Sequence, residues 1–299
     1  MKFDVVTFGS AVVDAFVDTD VSEEKGFMQY KVGDKMLIKS LKFEIGGGGT
    51  NTAVAFSRLG LKTGYIGEFG EDVNGKRILD LLKNERIEFL GKIVRGELTG
   101  YSVILDSKDH DRTILTYKGA NDEISPRDIK KFESKWMYYS SLLGKSFETQ
   151  KEIAKEFVKN GGRIAFNPSS YLIKNKNLSS LLKLTHILIL NKEEAAMLTR
   201  EKDLLVGLHR LGPKIVVITD RDKMISCYDG NEKYFLKPHQ NLKVVERTGA
   251  GDAFASGFVA GQIVGKTIEE SLKLGLAEGE SVITSRGAKN KLLRMKLRK

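Results

Sequence analysis

Short apolar, β-rich runs alternate along this chain with helical stretches. The runs fall at residues 5–8, 63–66, 136–139, 164–166, 186–190 and 215–219. Between them, residues 148–159 put Ile153, Phe157 and Val158 on one helical face and let Glu148 pair with Lys151. Strands that alternate with helices predict an α/β fold, a mostly parallel central sheet flanked by helices. Ligands of such sheets bind beyond the carboxyl ends of the strands. Motifs placed directly after a strand therefore carry the most information about function.

Two segments break the alternation. Residues 14–44 and 98–117 are β-rich without helices, with strand-like runs at 15–17, 35–43, 101–105 and 113–117. They are expected to form a small β-sheet lid, with edge strands of the main sheet as the alternative. The expected division is a large α/β nucleotide- and substrate-binding domain (1–13, 45–97 and 118–288), the lid (14–44 and 98–117) and a basic tail (289–299). A chain of 299 residues accommodates one large domain with such an appendage.

The net charge of +10 is unevenly spread, because residues 289–299 hold six bases and no acid. The rest of the chain is too weakly basic to read as a nucleic-acid binder. The tail is expected to be solvated and frayed, and its removal to leave activity intact provided Gly287 and Ala288 stay. One cysteine, Cys227, rules out an intrachain disulfide and a cysteine zinc cluster. No apolar run approaches the length of a membrane span, and Met1-Lys2-Phe3-Asp4 does not open a signal peptide, so the expected location is cytoplasmic. His110, His186, His209 and His239 show no metal spacing, and no G-x-S-x-G elbow is present.

Four glycine- or asparagine-based segments remain. Gly70 to Arg77 nearly matches a P-loop, but Arg77 stands where a hydroxyl would ligate Mg²⁺. Gly46-Gly47-Gly48-Gly49-Thr50-Asn51 opens an apolar helix, and reads either as a capped turn or as a backbone surface that a polar small molecule can approach. Thr248-Gly249-Ala250-Gly251-Asp252-Ala253-Phe254 runs a small-residue turn into a helix. The free N–H groups at that helix start make an anion site. With the Asp252 carboxylate beside it, this is equipment for phosphoryl transfer. Asn191-Lys192-Glu193-Glu194 follows a strand and reads as a capping box or as a Mg²⁺-facing pair.

With those segments in place, the chain resembles the ribokinase-like (PfkB) carbohydrate kinase family. One signature runs from Gly46 through Asn51 to Gly60 and on to Gly75; the other runs from Glu246 through Asp252 to Phe258. Gly9-Ser10 with Asp14, Gly119-Ala120-Asn121, Asn167-Pro168, Asn191 with Glu194, Thr219 and 285–288 agree in order and spacing. The resemblance implies Asp252 as catalytic base and Gly249, Ala250 and Gly251 as the anion hole. It implies Asp14, Gly47, Gly48 and Asn51 around the acceptor, and Asn191, Thr219, Gly251 and Gly287 along the nucleotide. Glu194 would hold Mg²⁺ through water, and Glu246 with Ser285 is a family position for a monovalent cation such as K⁺. Arg221 and Lys223 stand in a loop that is glycine-rich in the family, and one or the other is expected to reach a phosphate.

The resemblance therefore implies an ATP-dependent kinase with Mg²⁺ that phosphorylates a hydroxymethyl group of an unphosphorylated sugar or sugar-like polyol. A nucleoside kinase of the same family is the alternative, with Phe16, Tyr30 or Phe27 stacking on a base. A nucleotide-binding or RNA-associated non-enzyme that uses the basic tail is the reading from a different class. The expected partners are the small-molecule acceptor and ATP, with a homodimer through the lid and neither membrane nor nucleic acid.

Overall fold

A computed structural model of the protein describes residues 1–107 and 112–297. His110, Arg298 and Lys299 lie outside the described residues. In chain order the strands are β1 (Val5–Phe8), β2 (Val12–Asp18), β3 (Ser40–Gly46), β4 (Thr63–Ile66), β5 (Glu88–Phe89), β6 (Gly100–Asp106), β7 (Arg112–Tyr117), β8 (Trp136–Ser140), β9 (Arg163–Asn167), β10 (Ile187–Asn191), β11 (Ile215–Asp220), β12 (Met224–Tyr228) and β13 (Lys233–Leu236). The helices that shape the site are α1 (Gly48–Arg58), α2 (Val73–Asn84), α3 (Gly144–Lys159), α4 (Lys192–Leu198), α5 (Ala250–Ile263) and α6 (Ile268–Ile283).

The central sheet has the order β13-β12-β11-β10-β9-β8-β1-β4-β5. It is parallel from β11 to β5. All four side chains of β1 are buried, as a strand covered on both faces requires. The neighbouring residues Tyr138 and Tyr139 point to opposite faces. Tyr138 meets Phe56 of α1 edge-on at 5.6 Å, and Tyr139 meets Phe8 edge-on at 5.6 Å. Helices α1, α5 and α6 thus cover one face and α3 the other. The chain moves from β1 to β4 on one side and later to β8 on the other. The topological switch point therefore lies between β1 and β8.

The six strand-like runs read from the sequence coincide with β1, β4, β8, β9, β10 and β11, while α3 begins a turn before the expected residue 148. The hairpin β12–β13, which extends the sheet antiparallel, carries no strong signal in the sequence.

A second sheet has the order β7-β6-β2-β3 and is separate from the first, so these strands are not edges of the main sheet. The expected strand at 35–43 is observed instead at Ser40–Gly46. It pairs residue for residue with β2, and that partner sets its limits. The same register puts Asp14, Phe16 and Asp18 on one face with Ser102, Glu44 and Lys42.

The tail departs from expectation most. Met295 N donates to Arg58 O at 3.0 Å and Leu297 N to Leu59 O at 3.1 Å. Leu293 N donates to Glu278 Oε2 at 3.1 Å. Leu292 is buried, and Leu293 and Leu297 pack on the α1/α5/α6 side of the core. Leucines spaced among the bases turn a segment that reads as polycationic into one with an apolar anchor. Residues 289–297 are therefore anchored rather than frayed, while Lys291, Arg294 and Lys296 stay exposed. No helix among the described residues is long and apolar enough to cross a membrane.

Candidate active site

The carboxyl ends of β1, β8, β9, β10 and β11 face the start of α5 across a cleft of about 390 Å³. Ser10, Ser140, Asn167, Asn191, Thr219 and Asp252 are among its lining residues. Helix α5 begins after Gly249, whose φ of 79° is the left-handed conformation that glycine adopts at no steric cost. A Cβ there would also come within 2.4 Å of Ala288 Cβ. This tight turn brings the first turn of α5, with Asp252 in it, to the cleft. The N–H of Ala250 is already given to Arg247 O at 3.2 Å, which takes it out of the expected anion hole. The N–H groups one turn into α5, beginning at Gly251, are left for an anion.

Asp252 Oδ2 accepts from Asn51 Nδ2 at 2.8 Å. Asn51 sits in the first turn of α1, directly after the glycine run, so the starts of α1 and α5 converge on one carboxylate. The run lets the backbone pass between two acids. A Cβ on Gly46 would fall 1.9 Å from Asp14 Oδ2. One on Gly48 would lie 2.9 Å from Ser140 Cβ and 3.7 Å from Asp252 Oδ1. Asp14, Gly47, Gly48, Asn51 and Asp252 are therefore brought together as expected.

Burial pushes both acids above the ordinary carboxylate range. For Asp252 it is opposed by the Asn51 hydrogen bond and the charge of Lys289. For Asp14 it is opposed by the Ser102 hydroxyl and Lys289, with Glu246 and Glu44 adding to the upward push. Glu44 stands directly across the β2–β3 ladder from Asp14.

Two residues of the site were not singled out from the sequence. Ser140 ends β8 at the switch point, and its Oγ is buried with no hydrogen-bond partner among the described residues. Its place after a strand was the available signal. Lys289 comes from the tail and donates to Ile45 O at 2.5 Å and to Asn51 Oδ1.

Asn191 and Thr219 line the cleft, and Glu194 caps α4. Glu194 Oε1 accepts from Ser170 N at 3.0 Å and Ser170 Oγ at 3.1 Å, while Oε2 accepts from Asn191 N at 3.0 Å. Burial pushes Glu194 upward and those hydrogen bonds pull it back. The capping box read from spacing is thus present. Three of the roughly four lone-pair sites of the Glu194 carboxylate are used, and the one on Oε2 remains. This hard-oxygen pair fits a Mg²⁺ held chiefly by phosphates and water.

Other expected residues lie elsewhere. The Arg221 guanidinium is paired with Glu193 at 3.2 Å on the exposed surface, away from the cleft lining. Arg221 itself has a φ of 50°, and this left-handed turn after β11 aims its side chain towards Glu193. Gly287 lines a different cavity, of about 630 Å³, between the second sheet and the loops at 244–247 and 286–287. Glu246 Oε2 accepts from Gly287 N at 3.0 Å and Ser285 Oγ contacts Arg286 O at 3.4 Å. These contacts tie the loop at 285–287 together, with the Ser285 hydroxyl giving its proton and Glu246 engaging one carboxylate oxygen.

The model of the pfkB family of carbohydrate kinases matches residues 2–294. An uncharacterized sugar kinase of Archaeoglobus fulgidus is 30% identical over 256 residues, covering 81% of this chain and 99% of that protein. A ribokinase of Bacillus subtilis is 28% identical over 290 residues, covering 95% of this chain and 94% of its own. The crystal structure of an adenosine kinase from Sinorhizobium meliloti superposes with a TM-score of 0.84 at 25% identity, covering 98% of both chains.

Proposed function

The chain belongs to the pfkB family of carbohydrate kinases, and from that premise we propose that it transfers the γ-phosphoryl group of ATP to a hydroxymethyl group of an unphosphorylated sugar or sugar-like polyol. It is a small-molecule kinase; the acceptor and the residue roles are our reading. The observation that carries them is the Asp252 carboxylate, held by Asn51 at the amino end of α5 where the switch-point cleft opens.

In this reading Asp252 orients the acceptor hydroxyl and takes its proton as the oxygen–phosphorus bond forms. The bond between the γ-phosphorus and the β,γ-bridging oxygen breaks, and the electron pair leaves on ADP. The N–H groups at Gly251 and the positive end of α5 stabilise the charge on the transferred group. Asp14 and Asn51 hold acceptor hydroxyls, with the backbone of Gly47 and Gly48 behind them. Asn191 and Thr219 line the nucleotide side. Glu194 would hold a Mg²⁺ through water, and when bound that ion would neutralise charge on the phosphates.

The cavity on the Asp14 face of the second sheet favours a second reading. Phe16 lines it, and a ring-bearing acceptor such as a nucleoside would place its base there. Either acceptor is shielded if the second sheet acts as a lid. The opposite face of that sheet leaves Leu41, Phe43, Leu115 and Tyr117 exposed, which supports the pairing of two copies through it.

A panel of pentoses, hexoses, inositols, nucleosides and sugar phosphates with ATP and Mg²⁺ tests the reading. Preference for an unphosphorylated sugar or polyol supports it. Preference for a nucleoside selects the second reading, and preference for a sugar phosphate overturns both.

A further inference from the structure

Lys289 is a charged side chain only 9% exposed. A buried ammonium is costly unless it is paired and hydrogen-bonded. Here it donates to Ile45 O and to Asn51 Oδ1. The other end of the same carboxamide, Nδ2, donates to Asp252 Oδ2 at 2.8 Å. The two contacts define a directed relay, Lys289 to Asn51 to Asp252. An ammonium can only donate, so it fixes which end of the Asn51 amide faces it and which faces the acid.

The backbone of Lys289 is anchored independently. Arg58 Nη1 donates to its carbonyl at 2.5 Å. Arg58 is itself clamped to Glu85, with Nε at 3.2 and 3.1 Å from the two carboxylate oxygens. The lysine is therefore presented by a rigid support. The charged groups that face it are Asp14 on β2, Glu44 on β3, Asp252 on α5 and Arg58 on α1. Three acids against one base make the surroundings net negative. Burial nevertheless pulls its amine down to about 8.

We propose that Lys289 is a positioning residue for phosphoryl transfer: its ammonium locks the Asn51 carboxamide against Asp252 and supplies the positive charge that keeps the Asp252 carboxylate ionised. The proposal rests on Asp252 being the base. It assigns to the C-terminal segment a role in the reaction that charge alone would not reveal. Lys289 reaches the acid through Asn51 and is not itself called catalytic.

The test compares kcat–pH profiles and thermal melts of the wild type, Lys289→Met and Lys289→Gln, with Asp252→Asn alongside. Lys289→Met is expected to lower kcat about 10- to 100-fold, the worth of a hydrogen bond from a charged group. Loss of the nearby cation should move the acid limb of kcat upward by about one pH unit or more. Lys289→Gln retains a donor for Asn51 without charge, so part of kcat should return while the acid limb stays displaced. A double-mutant cycle with Asn51→Ala should be non-additive, since Lys289 acts through that amide. If Lys289→Met does not fold, Lys289→Gln carries the test. A folded variant with a lowered melting temperature, kcat within twofold of wild type and an unmoved acid limb overturns the proposal. Asp252→Asn with at least half of wild-type turnover would instead overturn the assignment of the base, whatever Lys289 does.

Discussion

The Asn51 carboxamide donates to the Asp252 carboxylate across 2.8 Å, tying the first turn of α1 to the first turn of α5. Two helix amino ends, each with a partial positive charge, thus converge on one acid. Their combined field opposes the burial that pushes Asp252 upward.

Asp252→Asn keeps the shape of that contact and removes the charge. It is expected to lower kcat by ~10²–10⁴, the usual worth of a positioned base, with nucleotide affinity little changed. Steady-state kinetics with a separate nucleotide-binding titration checks both halves.

Asp14→Ala should act on the acceptor. Its partner hydroxyls lose a charged hydrogen-bond acceptor, a cost of about 1.5–3 kcal/mol that appears in kcat/KM for the acceptor. A purely structural role for Asp14 predicts a lower melting temperature and an unaltered acceptor KM.

Glu194→Gln separates the cap from the metal role. An amide nitrogen would face either Ser170 N or Asn191 N, both donors, so a loss of about 1–3 kcal/mol in stability is expected. The Mg²⁺ concentration for half-maximal rate should also rise while the acceptor KM holds. An unchanged Mg²⁺ titration confines Glu194 to capping α4.

Stability should fall as pH rises from about 5 to 8. Burial pushes Glu278 and Glu68 up to about 7 from an ordinary 4.5. A carboxyl raised in the folded state contributes stability that is complete below its unfolded value and lost as pH climbs through the folded one. Glu278→Gln stays neutral and can still accept from Leu293 N, so it should gain about 1–3 kcal/mol at pH 8 and flatten the slope. Glu68 would keep part of the slope. Urea melts from pH 5 to 8 measure it, and an identical slope in the variant would remove Glu278 as a source.

Truncation after Ala288 is expected to do damage on two counts. Leu292 loses its burial, worth roughly 1.5–3 kcal/mol, and the backbone contacts to Arg58 and Leu59 go with it. Turnover should fall along with the melting temperature. A truncated chain with wild-type turnover would return the segment to the status of a dispensable tail.

The strands of the parallel sheet were legible because burial on both faces demands continuous apolar runs, and β1 and β4 fall where the sequence puts them. The acid and the asparagine of the site were legible because they follow glycine-rich turns at helix starts. The segment 35–43 misled, since an amphipathic strand takes its limits from its partner, here β2. Lys289 was hidden by its company: the other described bases of the segment, Lys291, Arg294 and Lys296, are exposed, and periodicity carries no sign of the one that turns inward. Arg221 was misread because a left-handed turn re-aims its side chain towards Glu193.

Asn51 is held from both sides by residues 201 and 238 positions further along the chain. Such separations make the site a late product of folding, since distant segments must meet before either contact can form. A ribosome must release the chain past Lys289 before the relay can assemble. Partly made chains that stop short of it, whatever nucleotide they encounter, would stay inert until that segment docks.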